Sequence, residues 1–231
     1  MVQLAPPARP ETDDRRALRD RLGELLPACR PETVAALADT GRLRRVRPGE
    51  PIYRQGGPVP LNLILEGNAI SRRTTADGQQ IFSGVAQSGV LFGYSGIAAS
   101  TSTVEIVALN DCLVAQWPGD EIRELVRGDA ALSLVAIDTL AGSLHALMEQ
   151  LEGFLHQDAR RRVLRILARH RALFFSDPPV LTRAHLAGLV GTSPEMTRRV
   201  LRQLEREGAI AREGRSTLRL LKPELLETAA A

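Results

Sequence analysis

The sequence predicts an α+β chain in three parts: an N-terminal all-β roll, one long helix, and a C-terminal helix-turn-helix with a hairpin wing. Three observations carry this expectation. Between about Arg42 and Trp117, short β-type runs alternate with turn signals. Residues 129–155 hold one helical pattern whose apolar positions step by 3, 4, 3, 4, 3. From Thr182 onward a capped helix, a glycine turn, a second capped helix and a hairpin follow one another.

At 231 residues, with 44% apolar and 25% charged content, the chain is long enough for a buried core and ordinary for a globular protein. No uninterrupted apolar run reaches the roughly 18 residues that span a bilayer. Met1–Asp14 is rich in Pro, Ala and charge and lacks the apolar stretch of a secretory signal, so it reads as a disordered leader. The expected location is the cytoplasm, without membrane association. Cys29 and Cys112 are far apart and form no C-x-x-C. Two cysteines cannot make an all-cysteine zinc or iron–sulfur site, and buried free thiols are expected.

Short helices are expected over Arg16–Leu26 and Pro31–Ala38, the second opening on a proline where its missing N–H costs nothing. The β region is punctuated by Pro48-Gly49, Gly56-Gly57, Glu66-Gly67-Asn68, Asp77-Gly78 and Ser88-Gly89. Asp77-Gly78 is the strongest of these, because both residue types tolerate positive φ in a tight hairpin. Strands at such even spacing suit a barrel or roll.

In the long helix, Ile137, Leu140, Leu144, Leu147, Leu151 and Phe154 form an a/d seam, the mark of a helix that pairs with another. Leu134, Ala141, Met148 and Leu155 form a second stripe one heptad apart. The seam is assigned to a second subunit and the second stripe to the β unit. The competing reading is one broad surface facing the core of its own chain. Gly153 and Asp158 mark a break, with Asp158 capping the next helix.

Charge divides the chain. Residues 158–231 hold 15 Lys and Arg against 8 Asp and Glu, net +7, whereas residues 1–157 are net −4. The basic part is expected to meet a polyanion. Lys222 is the only lysine; the preference for Arg suits DNA but also follows from a GC-rich genome.

Thr182 can cap one helix. Ser193 and Pro194 are N-cap and first-turn residues of the next, which runs to Gly208. Val200, Leu201 and Leu204 face inward, and Ile210–Leu221 reads as a wing turning at Glu213-Gly214. In such a motif the N-terminal part of the second helix enters the major groove. Glu195 can accept from cytosine N4, and Arg199, four residues on, can donate twice to guanine. Arg198, Arg202 and Arg215 are placed for phosphate. With the cap residues Thr182 and Ser193, these make up the candidate DNA-binding set.

Arg47-Pro48-Gly49-Glu50, Tyr53-Arg54-Gln55-Gly56, Leu65-Glu66-Gly67, Phe92-Gly93, Gly191-Thr192-Ser193-Pro194-Glu195 and Arg199–Glu205 together carry a resemblance. Over about residues 20–221 the chain resembles the cyclic-AMP receptor/fumarate–nitrate regulator (CRP/FNR) family of bacterial transcription regulators. The resemblance implies a β-roll, a dimerising helix and a winged helix-turn-helix. The expected division is leader 1–14, sensor roll 15–127, dimerisation helix and hinge 128–157, and DNA-binding unit 158–231.

In cyclic-nucleotide-binding members, Phe-Gly opens a cassette with a Glu for the ribose and, further on, an Arg for the cyclic phosphate. Here Tyr94 and Ser102 stand at those places, and Leu147 and Met148 stand where the helix would meet adenine. Losing the Arg and the Glu removes the charge-assisted contacts, so cyclic AMP is disfavoured. An iron–sulfur cluster would need four cysteines. Phe92, Gly93, Tyr94, Ser95, Ser102, Thr103, Leu147 and Met148 form the candidate effector pocket, open to haem or another apolar ligand or to none. His145 or His156 would be the haem ligand.

No catalytic residue is assigned. Gly93-Tyr94-Ser95-Gly96 is not a nucleophile elbow, and no Walker A, H-E-x-x-H or dinucleotide motif occurs. The remaining alternative is an effector-binding signalling protein with no DNA role. An activator would also be expected to meet RNA polymerase.

Overall fold

A computed structural model describes residues 11–78, 80–98, 100–213 and 217–230. It opens with a helical hairpin, α1 (Glu11–Leu25) and α2 (Pro31–Thr40). Leu18, Leu22, Leu26 and Leu37 from this hairpin are fully buried around Trp117, whose indole N–H donates to the Leu37 carbonyl at 2.9 Å. The first helix begins earlier than expected. Residues 11–14 of the expected leader are helical because Asp14 is buried and ion-paired to Arg45 at 2.7 Å, which ties the helix start to the first strand. The rest of the leader, 1–10, lies outside the described residues.

Eight strands follow: β1 (Arg42–Val46), β2 (Pro51–Tyr53), β3 (Leu61–Glu66), β4 (Asn68–Thr74), β5 (Gln80–Gln87), β6 (Leu91–Phe92), β7 (Glu105–Ala108) and β8 (Cys112–Trp117). They form two antiparallel four-stranded sheets, ordered β1-β8-β3-β6 and β2-β7-β4-β5. Asp77-Gly78 joins β4 to β5, with Gly78 at φ +79°. Gly67 joins β3 to β4 at φ +92°, where any Cβ would collide with the Asp111 carbonyl. The β4–β5 ladder shifts register at Ser83. Such an extra residue bends the strand and re-aims its neighbours.

The helix α3 (Gly119–Gly128) was not expected; Pro118 precedes it and Asp120 and Glu121 occupy its first turn, an acidic start that suits a helix N-terminus. Then comes α4 (Ala130–His156), capped by Asp129, which accepts from the Ala131 N–H at 3.0 Å. Leu132 and Ala136 are buried against the rest of the chain, and Gly153 is buried where the helix ends. The a/d seam is open, with Leu144 61% and Leu151 47% exposed.

The second stripe does not face the β unit as expected: Leu134, Met148 and Leu155 are 60%, 56% and 70% exposed, and Ala141 is exposed too. The helix packs on its own chain through Leu132, Val135, Ala136 and Gly153 instead. By length and mean hydropathy (1.5), α4 is also apolar enough to cross a membrane. Asp138, Thr139, Ser143 and His145 interrupt its apolar run without lowering the average much.

The basic unit holds α5 (Ala159–Arg169), α6 (Arg171–Phe174), α7 (Arg183–Val190), α8 (Pro194–Arg206), β9 (Ile210–Glu213), β10 (Thr217–Leu220) and α9 (Glu224–Ala230). Asp158 caps α5, accepting from the Arg161 N–H at 2.7 Å. The core is built from Val163, Leu167, Phe174, Leu186, Val190, Val200, Leu204 and Leu218. It does not stop at the unit's edge. Phe82 of β5 sits over Gly188 of α7, where a Cβ would strike its ring, and meets His185 edge-on at 6.1 Å. The roll and the basic unit thus share one core, which takes in Ile70, Phe82, Val85 and Val107 of the roll. The helix α9 was also unexpected; it packs on α5 and buries Leu226.

Candidate DNA-binding interface and effector pocket

The helix pair α7–α8 is shaped by its caps. Thr182 opens α7, its N–H donating to His185 Nδ1 at 3.1 Å. Gly191 ends it at φ +65°, the left-handed position that favours glycine, and it also leaves room for the Phe154 ring. The Ser193 hydroxyl accepts from the Met196 N–H at 3.1 Å and starts α8, with Pro194 at the first position. Thr197, Val200, Leu201 and Leu204 are buried, which fixes the rotation of α8 about its axis. Glu195, Arg198, Arg199 and Arg202 consequently stand exposed on the other side.

Among the described residues these three arginines have no acidic partner. The wing differs. Arg212 pairs with Glu205 at 2.5 Å and Arg219 with Glu213 at 2.8 Å. Hydrogen bonding from Arg212 holds the Glu205 carboxyl below its ordinary range. Arg198, Arg199 and Arg202 thus stand unpaired on one exposed side of α8, with Glu195 the carboxylate nearest its start. Arg215 and the turn residue Gly214 lie outside the described residues.

The structure does not gather the expected effector pocket. Tyr94, in a short 3-10 helix (Tyr94–Ala98), is 2% exposed and packs with Leu18, Leu22 and Cys29 rather than lining a cavity. Burial pushes its hydroxyl pKa up, and that hydroxyl has no partner among the described residues. Phe92 lies beside Tyr53, 6.4 Å between rings. Gly93 sits at φ +100° against the Pro60 carbonyl. Ser102 is buried, but its hydroxyl donates to the Val104 carbonyl at 2.6 Å and so is already used. Ser95 and Thr103 are exposed, and Leu147 and Met148 stand on the open side of α4, 59% and 56% exposed.

His145 is solvent-exposed and 3.3 Å from Glu149, and His156 is exposed at the helix end. Among the described residues, neither lines the cleft between β5, α4, α5 and α7. Cys29 and Cys112 are free and buried, and burial pushes both thiols up, away from the reactive thiolate.

Sequence reasoning missed His170. It closes α5, is buried, and its Nδ1 has no partner among the described residues. Burial and then the neighbouring Arg169 push its imidazole down to about 4. The folded chain thus holds it neutral where the unfolded chain, near 6.5, binds a proton. Stability is present above pH 6.5 and is lost as pH falls toward 4. A loss of about 2 kcal/mol between pH 7 and pH 5 is expected in urea unfolding. His170→Gln should shrink that slope; an unchanged slope would assign it elsewhere.

Two family models match the chain: the cyclic nucleotide-binding domain over residues 43–129 and the Crp-like helix-turn-helix domain over residues 152–229. No curated protein sequence matches. Among solved structures, FixK2 from Bradyrhizobium japonicum is similar at 19% identity and TM-score 0.70, covering 83% of this chain and 98% of its own. The c-di-GMP-responsive global regulator CLP from Xanthomonas campestris is similar at 22% identity and TM-score 0.67, covering 83% of this chain and 99% of its own. The catabolite activator protein of Thermus thermophilus is 26% identical with TM-score 0.50, covering 89% of this chain and 97% of its own. A roll matched by the first model and a winged helix pair matched by the second, joined by a long helix with an open apolar seam, make the chain a member of the CRP/FNR family of DNA-binding transcription regulators.

Proposed function

We propose that the chain acts as a cytoplasmic homodimer that binds a palindromic operator and regulates transcription in response to an effector other than cyclic AMP. The family is one of regulators rather than enzymes, and its helix-turn-helix is a DNA-binding module. One observation carries the DNA reading: Arg198, Arg199 and Arg202 stand exposed and without an acidic partner among the described residues, on a helix whose opposite face is buried. In this reading Glu195 and Arg199 read base edges, Arg198, Arg202 and Arg215 hold phosphates, and Thr182 and Ser193 set the approach of the two helix starts.

The open seam Ile137, Leu140, Leu144, Leu147, Leu151 and Phe154 supports the dimer, since a contiguous apolar stripe of this length is otherwise left in water. Leu134, Met148 and Leu155, exposed beside it, widen the same contact. Phe154 serves a second purpose, its ring lying against Gly191 of the helix-turn-helix. If the regulator activates, RNA polymerase is a further partner. As to the effector, the cassette lacks the Glu and Arg that cyclic AMP needs, and a structural relative from Xanthomonas campestris is responsive to c-di-GMP, so the roll is not tied to one nucleotide.

The test is an anisotropy titration of the full chain against a selected palindrome and a scrambled duplex at two salt concentrations. Half-sites about 34 Å apart, preference for the palindrome and a steep salt slope are expected. Equal, salt-insensitive binding would favour the signalling protein without a DNA role.

A further inference from the structure

Where the roll meets the basic unit there is a cleft of about 430 Å³, bounded by β5, the C-terminal half of α4, α5 and α7. A cleft of this size suits a small organic molecule. It is separate from the cassette residues 92–95 and 102–103, none of which line it.

Its polar wall comes from α5. Arg162, Arg165 and Arg169 stand at i, i+3 and i+7, so all three fall on the side of α5 that lines the cleft. Arg162 lies over the Phe154 ring at 5.5 Å, and its Nε is buried without a partner. Arg165 lies over Gly153, where a Cβ would strike its guanidinium. Neither Arg165 nor Arg169 has an acidic partner among the described residues. Beside them, buried His170 has an unpartnered Nδ1. Glu149, engaged with His145, is the acidic residue of the lining. The opposing wall is apolar, formed by Val85, Leu189 and Val190. Three guanidinium groups against one carboxylate leave the cleft cationic, and buried polar atoms left without partners carry a cost that a bound acceptor would relieve.

We propose that this cleft binds an organic anion with an apolar body, its carboxylate or phosphate head on Arg165, Arg169 and His170 and its body against Val85, Leu189 and Val190. The occupant touches the roll through β5 and the basic unit through α5 and α7, so its affinity depends on how the two are spaced. An effector role for the site rests on the DNA-binding reading; occupancy itself does not.

The probe is 1-anilinonaphthalene-8-sulfonate, an aromatic body with one anionic head, titrated into the full-length protein and read by fluorescence. N-phenyl-1-naphthylamine, the same body without the charge, is the companion. One saturable site per protomer is expected, with the charged probe bound at least tenfold tighter. Decanoate and decyl phosphate, as competitors, tell a carboxylate head from a phosphate ester. The double change Arg165→Gln with Arg169→Gln should weaken the charged probe tenfold or more and leave the uncharged one within twofold. Gly84→Leu should exclude both, because Gly84 lines the cleft and a Cβ there meets nothing within 4 Å, so the added side chain takes up cleft space. Charged-probe affinity unchanged in both variants would overturn the proposal. So would displacement of the probe by duplex DNA together with weaker binding of every duplex by the arginine variant, which would make these arginines phosphate contacts.

Discussion

Leu144→Glu is expected to split the dimer. In the single chain Leu144 is 61% exposed, at the middle of the a/d seam between Leu140 and Leu147. Burying a side chain of this kind contributes roughly 1.5–3 kcal/mol, so six such positions on each of two helices outweigh an association cost of about 4–15 kcal/mol. Across a two-fold axis with parallel helices, position 144 meets its own copy, so the substitution sets two carboxylates against each other without a counter-charge. That costs several kcal/mol in addition to the lost apolar contact. Light scattering should show a dimer for the parent protein and a monomer for the variant at micromolar concentration. Because Leu144 is largely exposed in the single chain, the monomer should keep its far-ultraviolet circular dichroism, while its melting temperature falls by the stabilisation that dimerisation supplied. An unchanged dimer mass would move the interface off this seam.

Arg199→Ala is expected to cost about 1–3 kcal/mol per half-site and to relax the preference for one guanine. Arg199 stands one turn after Glu195 on the exposed side of α8, free of any acidic partner among the described residues. Both recognition helices of a dimer lose the contact, so the penalty on a palindrome is doubled. The contrast is Arg215→Ala in the wing: it should weaken all sequences alike and lower the salt slope by about one unit, because a phosphate contact carries no sequence information. Titrations against single-base-substituted operators at two salt concentrations separate the two. If Arg199→Ala weakened every sequence equally, Arg199 would be a backbone contact. If it changed nothing, α8 would not be the reading head.

By itself the sequence determined the three parts and their order, and most of their elements, though not α3, α6 or α9. The caps Asp158 and Ser193, the proline at 194, the glycine at 191 and the Asp77-Gly78 hairpin are local chemistry, acting within a few residues of chain, so they can be read along it. The a/d spacing of α4 likewise announced a seam, and charge counted along the chain singled out the basic half. Some local signals went unused, such as the acidic first turn of α3.

Only the tertiary structure decided what faces what. Two stripes on α4 were equally apolar, and nothing in their periodicity tells which one a roll will cover. The packed face turned out to be a third, built on Leu132, Ala136 and Gly153, with Leu132 fully buried in the core shared with the N-terminal hairpin. Tyr94, expected to line an effector pocket, has its ring buried in the core that the N-terminal helices share with the roll. The cleft joins Val85, Phe154, Arg165 and Val190, which lie up to about a hundred residues apart. Its ingredients are individually ordinary in the sequence. The bulge at Ser83 and the seating of Phe82 on Gly188 bring them to one place, and such long-range packing depends on the shapes of both partners at once, which no local pattern encodes.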